Sequence, residues 1–168
     1  MKKLVIFGGP PCTGKSTVAR ALGCAHLEMD NARATLLPNS AHTRADRAIA
    51  YRAVLWAAAH LLRHTDTVIC DGGFGHREDR DACRTLARES AAALYLVEFT
   101  APLEVLLERN RARRDRHPGL DLTDARVTEI VETYPWSRTG LLVDSTQPLS
   151  DCVAAVRAYL QTPGTAEL

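Results

Sequence analysis

No apolar run in this 168-residue chain approaches the ~20 residues needed to span a bilayer, which argues against a membrane anchor. Met1-Lys2-Lys3 runs straight into an apolar segment and leaves no room for a cleavable export signal, so a cytoplasmic location is expected. The five cysteines (Cys12, Cys24, Cys70, Cys83, Cys152) form no C-x-x-C pair and no matching Cys/His cluster. That argues against zinc and against a disulfide framework, and they read as reduced, mostly buried thiols. Charge of one sign is missing too: the formal net charge is +1, so no global field points to nucleic acid or to an anionic membrane. There is no internal repeat, no low-complexity block and no N-K-x-D sequence to read guanine. Hydrophobic residues at 46% and charged residues at 24% are ordinary for a globular protein. The length supports one substantial core. A single domain over 1–162 is expected, with 163–168 as a flexible tail.

Against these absences stands one dense motif. Gly9-Pro10-Pro11-Cys12-Thr13-Gly14-Lys15-Ser16 fits G-x-x-x-x-G-K-[ST] at every fixed position, after the apolar run Leu4-Val5-Ile6-Phe7 and before a helical pattern starting at Thr17. Strand, glycine-rich loop, lysine, hydroxyl and helix agree with a phosphate-binding P-loop. The glycines let the backbone turn and approach closely, so that successive N–H groups and the helix N-terminus face the phosphates. Lys15 supplies a mobile positive charge, and Ser16 offers a hydroxyl to Mg²⁺. Residues Gly9 through Thr17 are therefore the expected nucleotide-binding set. Cys12 lies among N–H groups and beside Lys15, surroundings that lower a thiol's pKa. A small loop filler is its simpler role.

Short, nearly continuous apolar runs at Leu4–Phe7, Thr67–Cys70, Leu94–Phe99 and Leu141–Val143, with a weaker one at His26–Met29, read as strands buried on both faces of a parallel sheet. Between them Ala48, Tyr51, Leu55, Ala58 and Leu62 recur at helical spacing, as do Val127, Ile130, Val131 and Tyr134. Pro102 and Glu104 suit the first turn of a helix after Phe99, and Val153, Val156 and Leu160 stripe the last one. This alternation predicts an α/β, three-layer P-loop NTPase sandwich: a five-stranded parallel sheet flanked by helices, with ligands at the C-terminal strand ends. A helical Trp56 is expected in the core. Trp136, after the helix that follows the arginine-rich segment, is placed to report closure by fluorescence.

Three further segments carry chemistry. Asp30, at the end of the second candidate strand, is positioned to take the proton of an attacking hydroxyl, and an N-cap role can coexist with that one. Arg33, one turn on, either holds the acceptor or is a solvated helix residue. Val68-Ile69-Cys70-Asp71 is an apolar strand ending in an acid, which places Asp71 to reach Mg²⁺ or its waters. The following Gly72-Gly73-Phe74-Gly75 reads as a flexible loop lining an acceptor pocket or as a plain turn, with Phe74 and His76 as candidate walls. Arg109 to Arg116 holds five arginines in eight positions. It reads as a lid, spanning about 109–126, that covers the triphosphate and stabilises transferring charge, or in part as a solvated cationic face. Arg109 and Arg113, on one helical face, are the first choices.

On these residues the chain resembles the small P-loop kinases that include polynucleotide 5′-hydroxyl kinases, chloramphenicol phosphotransferase and zeta-toxin kinases. The resemblance rests on Gly9–Ser16, Asp30-x-x-Arg33, the Asp71 strand end, Arg109-x-x-x-Arg113 and the segment from Asp124 to Tyr134-Pro135. It implies ATP·Mg²⁺ as donor, with Ser16 and Asp71 at the metal. It further implies Asp30 as base, Lys15 and Arg113 as charge stabilisers, and Thr146 in an adenine-side loop. The small, nearly neutral scaffold favours a small-molecule hydroxyl acceptor, such as an antibiotic or nucleoside-like natural product. A polynucleotide 5′-hydroxyl kinase and a nucleotide-dependent regulatory module with slow hydrolysis are the alternatives. Oligomeric state is beyond the sequence.

Overall fold

The structure is a computed structural model that describes residues 1–41, 43–113 and 122–164. The elements in chain order are β1 (Lys3–Gly8), α1 (Lys15–Leu22), β2 (Ala25–Glu28), α2 (Met29–Leu36), α3 (Arg44–Leu61), β3 (Thr67–Asp71), α4 (Arg77–Glu89), β4 (Ala93–Thr100), α5 (Leu103–Arg113), α6 (Asp124–Thr133), β5 (Leu141–Asp144) and α7 (Leu149–Tyr159). The five strands form one parallel sheet in the order β2-β3-β1-β4-β5. This is the α/β sandwich the alternation predicts. No helix among the described residues is long and apolar enough to cross a membrane.

The continuous apolar strands conceal a period of two. Leu4, Ile6, Val68, Cys70, Leu94 and Leu96 face a core completed by Tyr51, Val54 and Ala58 of α3, by Leu62 just after it, and by Cys83 and Leu86 of α4. Val5, Phe7, Ile69, Tyr95, Val97 and Phe99 face the opposite core with Val18, Cys152, Val156 and Leu160. Because both faces are covered, hardly any polar residue interrupts the central strands. A third cluster, Cys12, Ala101, Leu106 and Val127, ties the P-loop to α5 and α6.

Four details differ from the sequence expectation. Met29 does not end β2 but opens α2, so Glu28 takes the N-cap position and Asp30 sits in the helix's first turn instead of capping it. Trp56 is 76% exposed rather than in the core, because Ala50, Val54 and Ala58 turn α3's inner face away from it. At the start of the expected tail the chain still makes contacts: the Tyr95 hydroxyl donates to the Thr162 carbonyl at 2.9 Å, and Gly164 packs against Ala93 and Leu94. Residues 165–168 lie outside the described residues, as do Arg114 and Arg116 of the expected lid. Of the span expected to form a lid, 109–113 end α5 and 124–126 open α6.

Candidate active site

The P-loop leaves β1 through Gly9, whose φ of +125° lies where only glycine is comfortable and where a Cβ would meet the Phe99 carbonyl oxygen at 2.5 Å. At the other end Gly14 is left-handed (φ +79°) and opens α1, with no atom within 4 Å of where its Cβ would be. Helix α1 has no acidic residue in its first turn and no side-chain cap, so its leading N–H groups face an open cradle without a built-in acceptor. An anion fits there by charge and by space.

Lys15 folds back over the loop, its Nζ donating to the carbonyls of Gly9 (3.0 Å) and Pro10 (2.7 Å) and to Thr13 Oγ1 (3.3 Å). Burial pushes its pKa below the usual lysine range, against the opposing pull of Asp71 and Asp30. The buried Thr13 hydroxyl donates to the Pro10 carbonyl and holds the loop's shape. Ser16 Oγ donates to Asp71 Oδ2 at 2.5 Å, so the helix hydroxyl and the strand-end carboxylate already stand together. Two hard oxygen donors of that kind fit a small divalent cation.

Asp30 is half-exposed on the rim. Arg33, buried one turn along α2, places its Nη2 3.6 Å from Asp30 Oδ1. Asp30 is close enough to the P-loop for its charge to act on Lys15. Arg113, at the end of α5, acts on Lys15 and on the Cys12 thiol. Arg109 is a tie rather than a free cation: it donates to Ser145 Oγ (2.9 Å), to the Ser145 carbonyl (2.7 Å) and, at 3.4 Å, to the Cys12 carbonyl. It thereby joins α5, the P-loop and the turn after β5. In that turn Thr146 donates from its backbone N–H and its hydroxyl to Asp144 Oδ1 and holds that carboxyl below the usual range.

Two expectations are corrected by burial. The Cys12 thiol is pushed up, not down: removal from water outweighs Arg113, Lys15 and Arg109, and its Sγ points to Asn110 Oδ1 at 3.7 Å. Phe74 is a core residue, 1% exposed and packed on the Tyr51 ring at 4.8 Å between centroids, so it lines no open wall. His76 is exposed at the N-cap position of α4 and makes no side-chain cap.

The loop facing the P-loop is organised by residues that sequence reasoning missed. The Tyr51 hydroxyl accepts from Gly73 N (3.1 Å) and Phe74 N (3.0 Å), while the Tyr134 hydroxyl donates to the Gly73 carbonyl at 2.7 Å. Gly9 N donates to that same carbonyl at 3.2 Å, joining the two loops directly. Arg80 donates to the carbonyls of Phe74 and Gly75. Glu98, buried on β4, accepts from the Ser137 N–H and hydroxyl. Tyr51 and Tyr134 were visible only as members of apolar stripes, since nothing local marks their hydroxyls as partners of a distant loop.

Comparison with known proteins agrees with this geometry. The chain is 30% identical over 127 residues to an uncharacterized protein of Mycobacterium tuberculosis. The match takes in 66% of the chain, but the chain spans only about a quarter (26%) of that relative. Among solved structures, a Chloroflexus aurantiacus protein crystallised as a candidate kinase superposes with a TM-score of 0.75 at 24% identity, covering 95% of this chain and 99% of that one. The Mycobacterium tuberculosis APS kinase in complex with AMPPNP and APS gives 0.70 at 22%, covering 96% and 98%. A gluconokinase from Sinorhizobium meliloti gives 0.68 at 24%, covering 94% and 91%. At these identities the likeness establishes a fold shared with P-loop kinases. The sequence profile of the AAA domain matches residues 4–135, and with the phosphate loop, its lysine and the Ser16–Asp71 pair all inside that span, the chain belongs to the AAA domain family.

Proposed function

We propose that the protein is an ATP-dependent kinase that transfers the γ-phosphoryl group to a hydroxyl of a small molecule. The observation that carries this reading is the placing of Asp30. A half-exposed carboxylate on the rim of the P-loop cleft, close enough for its charge to act on Lys15, is what acceptor activation needs and nucleotide binding alone does not. In this reading Asp30 accepts the proton of the acceptor hydroxyl. The hydroxyl oxygen then bonds to the γ-phosphorus as the bond to the β,γ-bridging oxygen breaks. Lys15 exchanges its carbonyl partners for phosphate oxygens, and Arg113 adds positive charge from the end of α5. Arg109 keeps the turn carrying Thr146 against α5, where an adenine would lie. Ser16 and Asp71 would hold Mg²⁺, which when bound offsets phosphate charge.

The formal charge of +1 and the gluconokinase and APS kinase among similar structures support a small acceptor, with antibiotics and nucleoside-like natural products as the first class to try. A second reading, a polynucleotide 5′-hydroxyl kinase, is favoured by the buried Arg33 beside Asp30, which sets a guanidinium able to hold an acceptor phosphate next to the carboxylate that would take the hydroxyl proton. The test is transfer of labelled γ-phosphate to two panels, hydroxylated small molecules and 5′-hydroxyl oligonucleotides, with mass analysis. A small molecule gaining one phosphoryl group is expected. Labelled oligonucleotide with steeply salt-dependent binding establishes the second reading. Label released only as inorganic phosphate sinks both and leaves a regulatory ATPase. D30N is expected to lower transfer by about 10²–10⁴-fold while ATP still binds. Turnover surviving within a few-fold removes Asp30 from the mechanism.

A further inference from the structure

Asp71 has a second set of neighbours besides Ser16. His26 and Glu28 stand two residues apart on β2 and so project from one face of the strand, and the parallel register pairs Glu28 with Asp71. His26 Nε2 lies 3.3 Å from Asp71 Oδ2, the oxygen that also accepts from Ser16, and His26 Nδ1 lies 3.6 Å from Glu28 Oε1. The three side chains are 11%, 4% and 17% exposed. One donor atom from each can be chosen so that all three lie within 4.8 Å of one another.

At 3.6 Å the Glu28 contact is too long for a hydrogen bond, and 3.3 Å is long for one. One ion takes one nitrogen of an imidazole, and the 3.3 Å from His26 Nε2 to Asp71 Oδ2 is close to the edge of a tetrahedral shell, about 3.4 Å when the ligands stand about 2.1 Å from a first-row metal ion. The chemistry of the set points the same way. Imidazole is a donor for zinc, copper, nickel and iron, whereas Mg²⁺ keeps to oxygen. The other partners of Glu28 yield cheaply: Arg20, on Oε1 at 2.8 Å, is 62% exposed, and Asn31 Nδ2 holds the other oxygen.

We propose that His26, Glu28 and Asp71 form a seat for a first-row transition-metal dication of the Zn²⁺ type, filled without nucleotide and sharing Asp71 with the Ser16 side of the cleft. The seat requires no phosphotransfer, so it stands or falls apart from the kinase reading. Because Asp71 serves both sides, a bound Zn²⁺ draws its carboxylate from Ser16 and weakens Mg²⁺-dependent nucleotide binding.

The test titrates Co²⁺ into the metal-stripped, nucleotide-free full chain and reads visible absorption. One equivalent with an oxygen–nitrogen ligand-field band, displaced by Zn²⁺, is the expected result, along with a melting temperature that rises with Zn²⁺ by mass action. H26Q removes a direct ligand and should weaken Co²⁺ binding by more than the about 10–100-fold typical of losing an outer-shell partner. E28Q, altered at a partly exposed position, should weaken it less and guards against loss of folding in H26Q. Replacing His60 and His64 together, an imidazole pair away from the seat, should change nothing. Absence of a band up to millimolar Co²⁺ overturns the seat. So does a band with thiolate charge transfer, or one unchanged in both H26Q and E28Q.

Discussion

The two loops that face each other across the candidate site are built in opposite ways. The P-loop is shaped mostly from within: Gly9 and Gly14 sit at positive φ and Thr13 bonds Pro10 three residues back, while Lys15 lies folded onto carbonyls five and six residues away. The Gly72–Gly75 loop is held by side chains that arrive from elsewhere, namely Tyr51 from α3, Tyr134 from the end of α6 and Arg80 from α4. A loop that binds an invariant group such as phosphate can be written locally, because the same backbone N–H groups serve every nucleotide. The Gly72–Gly75 loop is positioned from outside, by hydroxyl and guanidinium groups brought up by three other elements.

This contrast predicts that damage to the first loop falls on activity and damage to the second on stability and acceptor fit. The largest effect is expected for K15A. Phosphotransfer should drop about 10³-fold, while thermal stability stays level or rises because a partly buried cation is removed. A large loss of melting temperature would mean the lysine's carbonyl bonds hold the loop together. Y51F comes next. It keeps the ring packed on Phe74 but leaves the N–H groups of Gly73 and Phe74 unpaired, at a cost of about 1–3 kcal/mol. Calorimetry should find the loss, and acceptor KM should rise with nucleotide affinity nearly unchanged. Y134F should cost less, about 1 kcal/mol, because Gly9 N remains as a donor to the Gly73 carbonyl. Equal losses for the two tyrosines would break the idea that the second loop depends chiefly on Tyr51.

The comparison also has a pH signature. Burial holds Lys15 below the usual lysine pKa, and phosphate oxygens would raise it on binding, so nucleotide binding takes up protons on the alkaline side. Affinity should therefore fall as pH rises through the depressed value, earlier than for an ordinary lysine. Titration calorimetry in two buffers of different ionisation heat measures the uptake, and none across that range would mean that Lys15 stays fully charged in the free protein. The smallest effect is expected for W56A, away from both loops on the exposed face of α3, at within about 0.5 kcal/mol.

Much of the frame was legible because it is local. Four of the five apolar runs fall within strands, the fifth overruns β2 by Met29, and Pro102 and Glu104 stand where α5 begins. The misreadings share a cause. Met29 continued an apolar run, yet the chain turns at Glu28 into α2, and Trp56 lay on a helix whose buried face is shifted by one position from the stripe drawn through Ala48 and Leu55. Periodicity gives the element but leaves the phase of its buried face to packing. Phe74 looked like a pocket wall because three glycines surround it, and Tyr51, 23 positions earlier, draws it into the core.

What the sequence determined by itself is the phosphate cradle and the order of strands and helices, since both arise from spacings within one turn or one strand. Tertiary structure alone decided that burial pushes the Cys12 thiol's pKa up, that Asp71 stands between Ser16 and His26, and that two distant tyrosines fix the Gly72–Gly75 loop. Desolvation depends on everything packed around a group, and hydrogen bonds between residues tens of positions apart exist only once the sheet has set their elements side by side.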